Sequence, residues 1–126
     1  MRIHIPTFAA VVLFSLVWMF FGIAHLVNAD ALRPVVAGIP GGVFWVYFTG
    51  AAMFLAGLAI ILNKWAKPAC YLLALMLFVF IVVIHAPGLI RGDFSAPINI
   101  LKDVGFMAAA IIIGNIRNHI RQLGQL

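Results

Sequence analysis

The chain has 126 residues, of which 66% are hydrophobic and only 9% are charged. Soluble domains carry roughly 25% charged residues, so this composition excludes a water-soluble globular domain and indicates a single domain that lies in lipid. The net charge of +5 does not indicate nucleic-acid binding, because the basic residues are scattered over short segments without a run.

Four apolar stretches predict membrane spans at about 6–28, 43–62, 68–90 and 98–116. Each has about 20 residues, which crosses a hydrocarbon core of roughly 30 Å at about 1.5 Å per residue. Backbone amides in lipid must be satisfied within their own segment, so we expect helices. The predicted fold class is an all-α integral membrane protein, with residues 1–126 forming one four-transmembrane-helix bundle.

The first span carries Ser15, Trp18, Gly22 and His25 at helical spacing. These residues share one helix face, so we expect that face to point into the bundle. The apolar run 5–27 exceeds the roughly 7–15 residues of a secretory signal core, so we expect it to be retained as a helix.

The connections are also informative. The connection 29–42 is too long for a tight turn, and we expect its apolar part 32–39 to lie on the membrane surface or dip into it. Gly50 and Gly57 predict close packing of the second span against a neighbour. The short turn 63–67 indicates that the second and third spans are paired antiparallel neighbours.

Two prolines mark the later spans. Pro68 suits the first turn of the third helix, whereas Pro87 followed by Gly88 predicts a kink or a stop near the end of that helix. Pro97 predicts the start of the fourth helix. The segment 117–126 is predicted to be either a short interfacial helix or a disordered tail.

An even number of crossings places both termini on one side of the membrane. Lys and Arg are more frequent at that end, which predicts that the termini and the 63–67 turn are cytoplasmic. All three acids then lie at the opposite end, together with the following basic residues: Arg33, Arg91 and Lys102.

This opposite end is the predicted site. His25 and His85 lie at depths that match to within roughly one helical turn of 5.4 Å, and Lys102 and Asp103 lie about one turn inside the fourth span with Asn99 on the same face. Ionisable residues within a span indicate a functional site by default. We therefore predict ligand-binding or proton-handling roles for His25, His85, Asn99, Lys102 and Asp103.

Simpler alternatives stay open for these residues. Each histidine would then bind water, a loop carbonyl or a lipid headgroup, and Lys102 would extend to the surface. A buried Asp103 requires a partner, and the sequence offers several candidates: Lys102, His25, His85 and Arg33. Trp18 and Phe106 are expected to line the apolar approach to the site.

The residue types suggest two kinds of ligand. Histidine exchanges protons near neutral pH and, with Lys and Asp, suits the carbonyls of a quinone. Two histidines would also serve as axial haem ligands or, with Asp103, as metal ligands, but neither spacing is diagnostic. Quinone thus ranks ahead of haem, no metal site is predicted, and the cofactor stays open. Motifs of hydrolases, NTPases and NAD enzymes do not occur.

Four features occur in order: FGIAH at 21–25 followed by Asn28, YFTG at 47–50 leading to Gly57, His85, and NILKD at 99–103 followed by Gly105. In this order and spacing, from about 14 to 114, the chain resembles the DoxX family of small bacterial membrane proteins. The resemblance implies four transmembrane helices in the bacterial inner membrane. One departure is Met53, which stands where family members commonly have a glutamate.

The resemblance also implies a function. The namesake of the family is similar to a subunit of a thiosulfate:quinone oxidoreductase, which implies an accessory or quinone-facing subunit of a membrane redox complex. The alternatives are a non-catalytic scaffold that anchors a soluble enzyme and, third, a small-molecule or ion carrier. Whether the protein is itself an enzyme stays open. The expected partners are the lipid bilayer and either redox-complex subunits or further copies of the chain, but no nucleic acid.

Overall fold

The computed structural model describes residues 2–117, which contain helices and connections but no strand. The segment 118–126, where a tail was predicted, lies outside the described residues. In chain order the helices are α1 (Thr7–Val27), α2 (Arg33–Val36), α3 (Phe44–Leu62), α4 (Ala66–Phe80), α5 (Ala86–Ile90) and α6 (Ala96–Arg117).

Four of these segments are long and apolar enough to cross a membrane, with mean hydropathy between 1.6 and 2.7. They are Thr7–Val27, Phe44–Leu62, Ala66–Ile90 and Ala96–Arg117. The prediction of four spans is confirmed, and the largest boundary difference is two residues, at the starts of the third and fourth spans (66 against 68, 96 against 98). Many large apolar side chains face outward, as lipid contact requires.

Helices α1 and α3 pack closely through glycine. A Cβ atom added to Gly22 would lie 2.6 Å from the carbonyl oxygen of Gly50, and one added to Gly57 would lie 2.6 Å from the carbonyl oxygen of Ser15. Such distances leave room for hydrogen only, so the predicted packing role of the second-span glycines is confirmed. The predicted inward face of α1 is also confirmed, since Ser15, Trp18 and Gly22 are buried.

A second tight pair forms between α4 and α6, where a Cβ atom added to Gly114 would lie 2.8 Å from the Cβ atom of Cys70. Helices α3 and α4 contact each other less extensively than the helices of either tight pair, although only the turn 63–65 joins them. The second and third spans are antiparallel neighbours in contact, as predicted, but they meet over only part of their length. Over the rest, a groove lies between them.

The third span continues past Pro87 rather than stopping there. A π-helical turn at Ile81–His85 joins α4 to α5, and the N–H of Ala86 donates to the carbonyl of Ile81. In a regular α-helix Pro87 would leave the carbonyl of Val83 without a donor and its ring would collide with that carbonyl. The wider π turn relieves the collision, and it sets the direction in which His85 points.

The connection after α1 folds over the end of α3. A 3₁₀ turn at Ala29–Leu32 leads into α2, and Ala29 and Val36 form a buried apolar cluster with Val46 of α3. The apolar segment predicted to lie on or in the membrane surface therefore covers one end of the bundle.

At the opposite end of the bundle, Arg117, the last residue of α6, contacts both α1 and α3. Its Nε and Nη2 atoms donate to the carbonyls of Ile60 and Ile61 at 2.9 and 3.0 Å, and its guanidinium lies 5.5 Å from the centre of the Phe8 ring. The start of α1 and the end of α6 thus share one end of the bundle, as predicted. Arg117 itself was predicted to belong to a polar tail, which is wrong, because it is only 2% exposed.

Candidate functional site

A buried carboxylate defines the site. The side chain of Asp103 on α6 is only 4% exposed, and its Oδ2 atom lies 3.1 Å from Nε2 of His85. The π turn places His85 there from the third span. The distance suits a hydrogen bond, but Oδ2 has no well-directed hydrogen bond from any group in residues 2–117. This oxygen therefore has acceptor capacity that a ligand or water would satisfy.

Lys102 completes the charged part of the cluster. Its Nζ atom lies 3.9 Å from Oδ1 of Asp103, and about half of its side chain is exposed. Neighbouring residues on a helix point roughly 100° apart, but the long lysine stem allows the ammonium group to fold back toward the carboxylate. Of the four partners that the sequence offered for Asp103, the structure brings His85 and Lys102 to it.

The two other acids at this end have partners of their own. Arg33 Nε lies 2.7 Å from Asp30 Oδ1, and Arg91 Nη2 lies 3.5 Å from Asp93 Oδ2. The hydrogen bond and the charge of Asp30 raise the pKa of Arg33, so this pair stays ionised. Both pairs are exposed and lie on connections outside the helices that carry the buried cluster.

His25 and Asn99 are placed differently from the other predicted residues. His25 donates from Nδ1 to the carbonyl of Phe21 at 2.8 Å, which leaves Nε2 of a neutral ring as an acceptor. It faces the same groove as His85 and Asp103, but no hydrogen bond or ion pair within the described chain joins it to them. Asn99 lies one turn before Asp103 on α6 and does not line the groove.

A groove runs from this polar cluster along α3 and α4. It has a volume of about 1100 Å³ and is lined mainly by apolar residues of α3 and α4. Trp18 and Phe106 line it as predicted, and their rings meet edge to face with centroids 5.2 Å apart. Its polar lining is concentrated at one end, at the following residues: His25, Thr49, His85, Lys102 and Asp103.

The sequence did not predict this groove or the participation of Thr49. Thr49 turns its hydroxyl to the carbonyls of Trp45 and Val46, which satisfies the donor within the helix. Met53, at the position that departs from the family pattern, is buried and packs with Trp18 beside the groove. The sequence signal for Thr49 was its place in the YFTG segment at 47–50, within the second span.

Within residues 2–117, no group of three His, Cys, Asp or Glu side chains lies close enough together to hold a metal ion. The cluster brings together one carboxylate, one imidazole and one ammonium group, which are able to form hydrogen bonds and exchange protons.

The fold and the site together define the class: an all-helical, multi-pass membrane protein with a polar cluster at one end of a groove between two helices. No family model, curated protein or solved structure matches the chain. The resemblance to the DoxX family therefore stays a prediction.

Proposed function

We propose that this protein binds the headgroup of a membrane quinone and serves as an accessory, quinone-facing subunit of a redox complex in the bacterial inner membrane. The contact between His85 and the buried Asp103, at the end of a groove lined by apolar residues, carries this proposal. The resemblance of the chain to the DoxX family supports the same assignment.

The cluster suits the chemistry of a quinone carbonyl. Reduction of a quinone to its quinol takes two electrons and two protons, and negative charge develops on the carbonyl oxygens. Lys102 would donate a hydrogen bond to one such oxygen, and His85, held in place by Asp103, would deliver one of the two protons to it. Water would supply the second proton, to the other carbonyl oxygen. The electrons would come from a redox group of a partner subunit.

The charge distribution supports an orientation in which the quinone headgroup lies near the outer face. The described residues at the Arg117 end include four bases and no acid: Arg2, Lys64, Lys67 and Arg117. At the other end three acids stand against three bases. Because Lys and Arg are enriched in cytoplasmic segments, the Arg117 end would face the cytoplasm.

Native mass spectrometry of the protein extracted in a mild detergent tests the proposal. A bound mass that matches a quinone should be present in the wild type and lost in His85→Ala and Asp103→Asn. Asp93→Asn is the matched control, since it removes an exposed acid at the same end and should retain the quinone.

Two outcomes would contradict the proposal. If all variants retained the quinone equally, the cluster would not be part of the binding site. A stoichiometric second protein chain without any bound quinone would favour the scaffold function instead.

A further inference from the structure

We infer that the groove between α3 and α4 holds the long apolar tail of a ligand whose head is polar but uncharged, and that this ligand arrives sideways from the bilayer. The inference rests on the proposed function for the position of the head at His85 and Asp103. It adds the place of the tail and the route of access, which the proposed function leaves open.

The length of the groove requires a long tail. Along the third span its lining runs from Pro68 to His85, which is about 25 Å at roughly 1.5 Å per residue. This length approaches the roughly 30 Å thickness of the hydrocarbon core. A headgroup alone would occupy only the polar end, whereas an isoprenoid or long alkyl tail would fill the remainder.

The depth of the cluster within the helices favours a ligand whose headgroup is uncharged. Asp103 lies seven residues after the start of α6 at Ala96, so it is about 10 Å inside the helix end at roughly 1.5 Å per residue. His85 lies about 8 Å before the end of the third span at Ile90 by the same measure. A phosphate headgroup at this depth would lose its hydration, and burying an ionised group is expensive.

The charges around the cluster select against an anionic head as well. Each acid at this end faces a base, in the pairs Arg33–Asp30, Arg91–Asp93 and Lys102–Asp103. Among the Lys and Arg side chains of residues 2–117, Lys102 is the one that lines the groove, and Asp103 lies beside it. A neutral head with carbonyl or hydroxyl groups still finds a donor in Lys102 and an acceptor in Asp103.

The exposure of the groove walls indicates access from lipid. Leu55 of α3 and Leu72 and Leu75 of α4 line the groove, yet they are 62%, 65% and 57% exposed. At the outer end the α2 segment covers α3 with buried Val36. The open side of the groove is therefore its apolar flank, which faces the bilayer.

Photolabelling tests the inference. The probe is a polyprenyl benzoquinone with a diazirine at the end of its tail, and a polyprenyl alcohol with the same diazirine is the second probe. Both are added at equal mole fraction to nanodiscs that contain the full chain. We expect saturable labelling of the α4 residues that line the groove far from the cluster, which are Pro68, Ala69, Leu72 and Leu73.

Two adjacent alanines of α3 provide the variants. Ala52 lines the groove and Ala51 faces outward without lining it. Ala52→Leu should lower saturable labelling about tenfold, because the larger side chain would occupy groove space that the tail needs. Ala51→Leu should label like the wild type.

The outcomes separate the tail site from the proposed function. Tail labelling that is spread over the lipid-facing surface and does not saturate would overturn the tail site, since the ligand would then be ordinary surrounding lipid. If the quinone still bound at His85 and Asp103 in that case, the proposed function would stand. If the alcohol labelled the groove and the quinone did not, the tail site would stand and the quinone proposal would fall.

Discussion

Asp103 and His85 come from different membrane spans, yet their side chains meet 3.1 Å apart within the bundle. The carboxylate is almost completely buried, so its charge depends on the few polar groups that reach it. We therefore expect the free energy of unfolding to fall more when one of the two side chains is removed than when both are replaced.

His85→Leu should destabilise the folded protein by about 3 kcal/mol, because it leaves a buried carboxylate without its imidazole partner. The double variant His85→Leu/Asp103→Leu should recover most of that loss, since two apolar side chains need no polar partner. Thermal unfolding in detergent measures both. Equal stability of the single and double variants would show that the two side chains are not energetically coupled.

Gly57→Ala should destabilise the α1/α3 pair by about 2 kcal/mol, since its Cβ atom would lie 2.6 Å from the backbone oxygen of Ser15. Gly105→Ala is the matched control in α6, because no atom lies within 4 Å of its new Cβ atom. Ala favours helices over Gly, so the control should be neutral or slightly stabilising. Unfolding midpoints in the same detergent compare the two, and equal effects would argue against close packing at Gly57.

Arg117→Met should lower the free energy of unfolding by about 2–3 kcal/mol, because two charged hydrogen bonds to the last carbonyls of α3 are lost. Quinone binding should be unchanged in the variant that remains folded, since Arg117 lies at the end opposite to the cluster. Denaturant titration measures the loss of stability, and native mass spectrometry measures whether the quinone stays bound. A loss of quinone without any loss of stability would contradict the prediction.

Membrane orientation can be measured with single cysteines. An impermeant thiol reagent added to intact cells should label Asp93→Cys from outside and should not label Lys64→Cys until the cells are opened. The native Cys70 is fully buried, so it should contribute little background. The reverse pattern would place the quinone site at the cytoplasmic face.

The spans could be predicted from the sequence because a membrane-length helix is a property of consecutive residues. Apolar runs of about 20 residues define where helices cross, and prolines and glycines indicate their ends. The same reasoning put His85, Lys102 and Asp103 at similar depths, because depth depends only on the distance from a helix end.

Other relationships depend on how the helices are rotated against each other, and each residue turns a helix by roughly 100°. The sequence left four partners open for Asp103, and the π turn before Pro87 brought His85 to it. The sequence placed Arg117 in the segment after the last span, whereas tertiary packing brings its side chain to the last carbonyls of α3. Glycines allow α1 to pack closely on α3 and α6 on α4, whereas α3 and α4 contact each other less and leave a groove between them. The sequence by itself determined the helices, because each depends on consecutive residues, and only tertiary packing decided the spacing between them.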